Sequence, residues 1–157
     1  MSHSTNTYTS IVTFLVSQQR YAIATDSVRS IIPVREMTYV PGAPGCVAGI
    51  INLRGDIIPV VGLDEWSAEQ RDMQSAGEVL ALVVEIPDEE GSHPVALVVD
   101  EVTQIIERDL SDLEDAGELL LNQRRNAAVV GVLSRGDEPI LLLTPEKLIP
   151  EDREVRA

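Results

Sequence analysis

The chain has 157 residues, 44% of them hydrophobic and only 3% aromatic, with a formal net charge of −14. That length supports one cooperative core, and the acidity excludes nucleic-acid phosphates and anionic membrane surfaces as partners. A single cysteine, Cys46, excludes an internal disulfide.

Residues 1–7 are polar, carry no apolar secretory core and are expected to form a flexible tail, as are residues 150–157. No apolar run approaches the roughly 20 residues that cross a bilayer. A cytoplasmic location without direct membrane insertion is therefore expected. With so few aromatics, the core has to come from Val, Ile and Leu. Much of that content is β-branched, which favours strands.

Taken in order, short apolar runs alternate with turn signals. Thr9–Val16 and Tyr21–Ala24 flank Ser17-Gln18-Gln19-Arg20 and predict a hairpin. Asp26 or Thr25 is then expected to cap a helical turn over Ser27–Ile32, with Val28, Ile31 and Ile32 on one face. Val47–Leu53 and Ile57–Val61 flank Arg54-Gly55-Asp56 as a second hairpin, and a short helical turn is expected over Asp64–Arg71. Glu78–Ile86 and Pro94–Val99 form a third hairpin around the loop from Asp88 to His93. Ser111-Asp112-Leu113-Glu114 matches a capping box. Val129–Ser134 and Ile140–Leu143 flank Arg135-Gly136-Asp137 as a fourth hairpin, after which Thr144 caps a turn opened by Pro145.

The chain repeats itself. Asp26-Ser27-Val28-Arg29-Ser30-Ile31-Ile32 and Asp100-Glu101-Val102-Thr103-Gln104-Ile105-Ile106 both read Asp-x-Val-x-x-Ile-Ile. Gly49-Ile50-Ile51-Asn52-Leu53-Arg54-Gly55-Asp56 is matched by Gly131-Val132-Leu133-Ser134-Arg135-Gly136-Asp137 with one residue fewer. Two similar barrel-like units are expected, because a sheet closed on itself removes its exposed edges. Units this small must pack together to bury enough core.

Chemistry finds little footing. His3, His93 and Cys46 lack the neighbours of a metal site or an activated thiol. Asp88-Glu89-Glu90 and the stretch from Asp109 to Glu118 read as solvated faces. No cofactor and no catalytic residue is expected. The enzymatic alternative is an aspartic-protease-like dyad of Asp26 and Asp100 sharing a proton; Val28 and Val102 stand where such a site needs glycine.

Pro41-Gly42-Ala43-Pro44, followed by the run from Val47 through Asn52-Leu53-Arg54-Gly55-Asp56 to Val61, resembles the hallmark of CheW-like chemotaxis coupling proteins. Val95–Val102, Gly131-Val132-Leu133 and Ile140–Leu148 resemble later signatures of that family, so the likeness spans Tyr8 to Leu148. It implies a mainly β fold: two pseudo-repeated, five-stranded, SH3-like barrels with a few short helices. One subdomain would cover approximately 21–75 and the other approximately 94–149, with the terminal and central strands shared. It also implies a non-enzymatic adaptor between the cytoplasmic tips of chemoreceptors and the regulatory domain of a CheA-type histidine kinase. Arg54 is the preferred contact residue, with Asn52 tying its hairpin. Val28, Ser30, Ile32 and Val34 complete the partner-binding set. Ser30, Ala48 and Asp64 depart from the family pattern, which motivates a second reading as a regulatory module that binds the kinase alone.

Overall fold

The computed structural model describes residues 8–63, 79–115, 128–135 and 138–149. Ten strands run in order: β1 (Tyr8–Val16), β2 (Gln19–Ala24), β3 (Val28–Val34), β4 (Val47–Leu53), β5 (Asp56–Val61), β6 (Val79–Asp88), β7 (Gly91–Val99), β8 (Glu101–Asp109), β9 (Val129–Arg135) and β10 (Glu138–Leu143). They form two five-stranded sheets, in the orders β3-β6-β7-β5-β4 and β8-β1-β2-β10-β9. We call the first barrel 1 and the second barrel 2. The repeat units cross between them: β3, β4 and β5 join the hairpin β6–β7, while β8, β9 and β10 join the hairpin β1–β2.

Both sheets close in the same way. In barrel 1 the chain just past β3 bridges to β4, with the N–H of Thr38 donating to the carbonyl of Ile50 and the return bond also 2.9 Å. In barrel 2 the chain past β8 bridges to β9 through Glu114 and Val132, at 2.9 and 2.7 Å. One parallel pair completes each ring, β5 with β7 and β10 with β2.

Side-chain parity sorts the apolar residues into three cores. Val34, Ala48, Ile51, Ile58, Val60, Ala81 and Ala96 fill barrel 1. Ile11, Ala22, Leu133, Ile140 and Leu142 fill barrel 2. The largest cluster lies between the barrels and includes Phe14, Tyr21 and Ile23 from one sheet and Leu82, Val84, Leu97 and Val99 from the other. Strands such as β7 and β10 are buried on both faces, which is why their sequences are unbroken apolar runs rather than alternating ones. Phe14 and Tyr21 stack with ring centroids 6.0 Å apart within the shared cluster, so the few aromatics do hold one strategic position.

Several local expectations are corrected. The helical turn expected over Ser27–Ile32 is three residues of 3-10 helix, Thr25–Ser27, followed by strand β3. Its N-cap is Ala24, and neither Thr25 nor Asp26 supplies a capping side chain. Pro33 pushes Ile32 toward extended backbone, and Val28, Ile31, Ile32 and Val34 lose less χ1 freedom in a strand. The pattern Val28, Ile31, Ile32 that mimics a helix face comes from a bulge between Val28 and Ser30, which shifts parity by one residue. Near the second repeat, the cap is Asp109 rather than Ser111: its carboxylate accepts from the N–H of Ser111 at 3.0 Å and from its hydroxyl at 2.8 Å. The turn Pro145–Lys147 forms behind Thr144 as expected, although the Thr144 hydroxyl donates to Glu146 instead of capping. His93 stands in β7 opposite Ile86 and not in a loop, because the β6–β7 hairpin stays paired out to Asp88 and Gly91. The turn expected over Asp64–Arg71 lies outside the described residues.

Candidate partner-binding site

The β4–β5 hairpin projects from barrel 1 on a two-residue loop, with Leu53 paired to Asp56 across it. Both loop residues have positive φ, +55° at Arg54 and +92° at Gly55. This is the type I′ geometry whose twist matches the flanking strands. The Asn52 side-chain oxygen accepts from the Gly55 N–H at 2.9 Å, which ties the loop to its own strand. Left-handed backbone is easy for Gly55 but costs arginine about 1 kcal/mol or more. Arg54 is exposed and makes no hydrogen bond or ion pair among the described residues. A strained, solvent-facing guanidinium with nothing to hold is a functional candidate.

Beside it on the hairpin Asn52 and Asp56 are exposed, and so is one large apolar side chain. Ile57 is paired with Asn52 and is 61% exposed; Tyr39, next to the bridging Thr38, is 50% exposed. Of the other residues singled out, Ser30 is exposed on β3, Val28 is half-buried against the shared core and Ile32 is half-buried against the barrel 1 core. Val34 is only 4% exposed and belongs to the barrel 1 interior, so it offers partners no surface. Ala48 is fully buried in the same interior, and Asp64 lies outside the described residues. Ile57 and Tyr39 escaped sequence reading. The first sits in a uniformly apolar run, where only the register of Ile58 and Val60 reveals which residues turn outward.

Asp26 and Asp100 do not converge. Asp100 accepts from the backbone N–H of Ser17 at 2.7 Å, and its own N–H donates to the carbonyl of Leu15. Asp26 sits in the turn whose Thr25 meets Ser10 at 2.9 Å. Leu15 and Ser10 are five residues apart on β1, roughly 16 Å at strand rise, so the two aspartates form no dyad. Among the described residues no group of three His, Cys, Asp or Glu side chains could hold a metal ion, and no helix is long and apolar enough to cross a membrane. On the β6–β7 hairpin, His93 Nδ1 lies 2.7 Å from Asp88 Oδ2. That hydrogen bond, helped by the Glu90 N–H, holds the exposed Asp88 carboxyl below its ordinary value.

The molecule is thus a pair of barrels around a shared apolar core, with Arg54 and Ile57 exposed on one hairpin. Residues 10–153 match the CheW-like domain, and the chain belongs to that family. It is 31% identical to the chemotaxis protein CheW of Rhizobium meliloti (strain 1021), covering 97% of this chain and 95% of that one. It is 25% identical to the chemotaxis protein CheW of Treponema pallidum (strain Nichols), over 88% and 80% of the two chains. Among solved structures, the scaffolding protein TtCheW from Thermoanaerobacter tengcongensis superposes with a TM-score of 0.67 at 25% identity, covering 87% of this chain and 88% of that one.

Proposed function

We propose that this chain is a non-enzymatic scaffold that couples chemoreceptors to a CheA-type histidine kinase. Membership of the CheW-like family supports the class of partner. The observation that carries the reading to a site is Arg54, held at φ +55° on an exposed hairpin without a partner of its own among the described residues. Its guanidinium offers five donors in a fixed fork, suited to carbonyls and carboxylates on the cytoplasmic tip of a receptor coiled coil. Ile57 supplies apolar area on the same hairpin, as a docking site with a polar rim needs. The regulatory domain of the kinase would pair with one barrel mainly through apolar contacts. Holding both partners at once raises their effective concentration, so weak contacts accumulate and kinase output depends on position rather than on any reaction of the scaffold.

Calorimetry against the kinase and a receptor-tip fragment from the same genome tests this. Binding to both is expected, with Arg54→Glu weakening the receptor arm alone. Silence toward both partners at high micromolar concentration would remove the coupling reading.

A further inference from the structure

The two barrels close through equivalent bridges, but the side chain seated behind each bridge differs. In barrel 1 the residue before Thr38 is Met37, half-buried against the barrel 1 core. Its thioether lies against Gly49: a Cβ built on that glycine would stand 3.2 Å from both Cγ and Sδ of Met37. In barrel 2 the residue before Glu114 is Leu113, half-buried against the barrel 2 core and seated on Gly131 in the same way. Leucine and methionine exchange with little change of volume, so either can wedge the closing chain against its strand. Only the thioether can be oxidised. The Thr38 carbonyl oxygen lies on the same face of Gly49 and accepts from the Ile50 N–H to make the bridge. Apart from that bridge, the backbone pairing that ties the β4–β5 hairpin to the rest of barrel 1 among the described residues is short. It is the parallel pair of β5 with β7, Val60 with Ala96 and Val61 with Leu97.

We infer that Met37 is a redox latch on barrel 1: a peroxide oxidises its sulfur and opens the Thr38–Ile50 bridge, while barrel 2 stays shut. In that step a sulfur lone pair attacks one peroxide oxygen, and the O–O bond breaks as the S–O bond forms. The other oxygen takes up the first oxygen's proton and leaves as water. Sulfur loses two electrons and the peroxide gains them. The product is a larger, strongly accepting group set against an apolar core and beside a carbonyl oxygen that has no proton to offer. The sulfoxide escapes by turning into solvent, and the chain at Thr38 parts from β4 with it. The hairpin that carries Arg54 and Ile57 is then held by the β5–β7 pair. Return to the thioether takes two electrons from a dithiol, which closes to a disulfide as the oxygen leaves in water. The inference rests on the ring closure and not on the coupling reading.

Hydrogen exchange of the full chain before and after hydrogen peroxide tests it, with oxidation at Met1, Met37 and Met73 read by peptide mass mapping. Met37 is expected to convert, and protection of the Ile50 amide to fall about tenfold or more. The Val132 amide, which donates to Glu114 in barrel 2, should keep its protection. Methionine sulfoxide reductases with dithiothreitol should then restore Ile50. Met37→Leu, which installs the barrel 2 wedge, should fold as stably as wild type and keep Ile50 protected in peroxide. Leu113→Met is the converse, and peroxide should now lower protection at Val132 as well. A Met37 that stays reduced while free methionine in the same solution is converted overturns the inference, as does a Met37 sulfoxide that leaves Ile50 protected. An Ile50 amide that loses protection in peroxide-treated Met37→Leu assigns the effect to Met1 or Met73 and sinks the latch. Equal loss at Ile50 and Val132 in the wild-type chain means general unfolding, and protection that fails to return on reduction means damage; either outcome counts against it. So does a Leu113→Met chain oxidised at that position with Val132 still protected. Calorimetry of the reduced chain against the kinase and a receptor-tip fragment tests the coupling reading separately, since that reading needs no oxidant.

Discussion

Gly49 and Gly131 occupy the same point in the two barrels, each facing a carbonyl that closes its ring. A Cβ at Gly49 would lie 2.7 Å from the Thr38 carbonyl oxygen, and one at Gly131 would lie 2.8 Å from that of Glu114 and 2.6 Å from the Leu113 side chain. These are the glycines that open the second block of the sequence repeat. Their role is close approach of backbone to backbone, since neither has positive φ. Gly49→Ala is expected to cost about 1–3 kcal/mol, as overpacked sites do, because its nearest neighbour is main chain that cannot swing away. Urea unfolding of Gly49→Ala and Gly131→Ala against wild type checks this; an unshifted midpoint for both would show that the bridges are not tight.

Arg54 should behave in the opposite sense. Arg54→Gly relieves a left-handed arginine and is expected to leave stability equal or to raise it by about 1 kcal/mol, while receptor binding falls. A variant that is at least as stable and binds less separates a functional strain from a structural one. Loss of both together would mean that the guanidinium holds the hairpin.

Leu97 is fully buried in the cluster between the barrels. Leu97→Ala is expected to cost about 2–5 kcal/mol, the range for a core cavity, and to lower the stability of both barrels at once. Native-state hydrogen exchange read at Val83 in barrel 1 and Ala22 in barrel 2 measures this. Loss of protection at Val83 alone would show that the barrels open independently.

The Asp88–His93 pair makes a small, signed pH effect. The folded Asp88 carboxyl titrates below its ordinary 3.8. Its contribution is thus complete above that value and is lost as the pH falls through the lowered one. The pair is solvent-exposed, so the effect on stability is slight. His93→Ala should return the Asp88 titration, followed by carboxyl NMR, toward the ordinary value. A titration left unmoved would assign the lowering to the Glu90 N–H instead.

The strand content and the twin barrels were legible because turn signals bracket aliphatic runs of strand length and recur in the same order in both halves. Arg54-Gly55 announced its turn chemistry directly, and Asn52 behaves as its tie. Which side of each strand is buried was not legible. Where both faces are covered, as in Val95–Val99, the sequence loses its period of two and cannot report parity. The bulge at Val28–Ser30 did more harm, because one inserted residue converts an alternating strand into the spacing of a helix. The outward isoleucines at positions 31, 57 and 105 were hidden for the same reason: composition names them core, and only register turns them to water.

The exchange of hairpins between repeat units has a consequence for how the molecule can be taken apart. A cut between β5 and β6 separates the duplicated segments cleanly in sequence, yet it leaves β1–β2 without β10 and β5 without β7. Neither fragment can complete a barrel alone, and each carries the piece the other lacks. Co-expressed halves should therefore rescue one another, whereas a permuted chain starting at β3 and running through β10 into β1–β2 would keep every strand beside its neighbour and need no rescue.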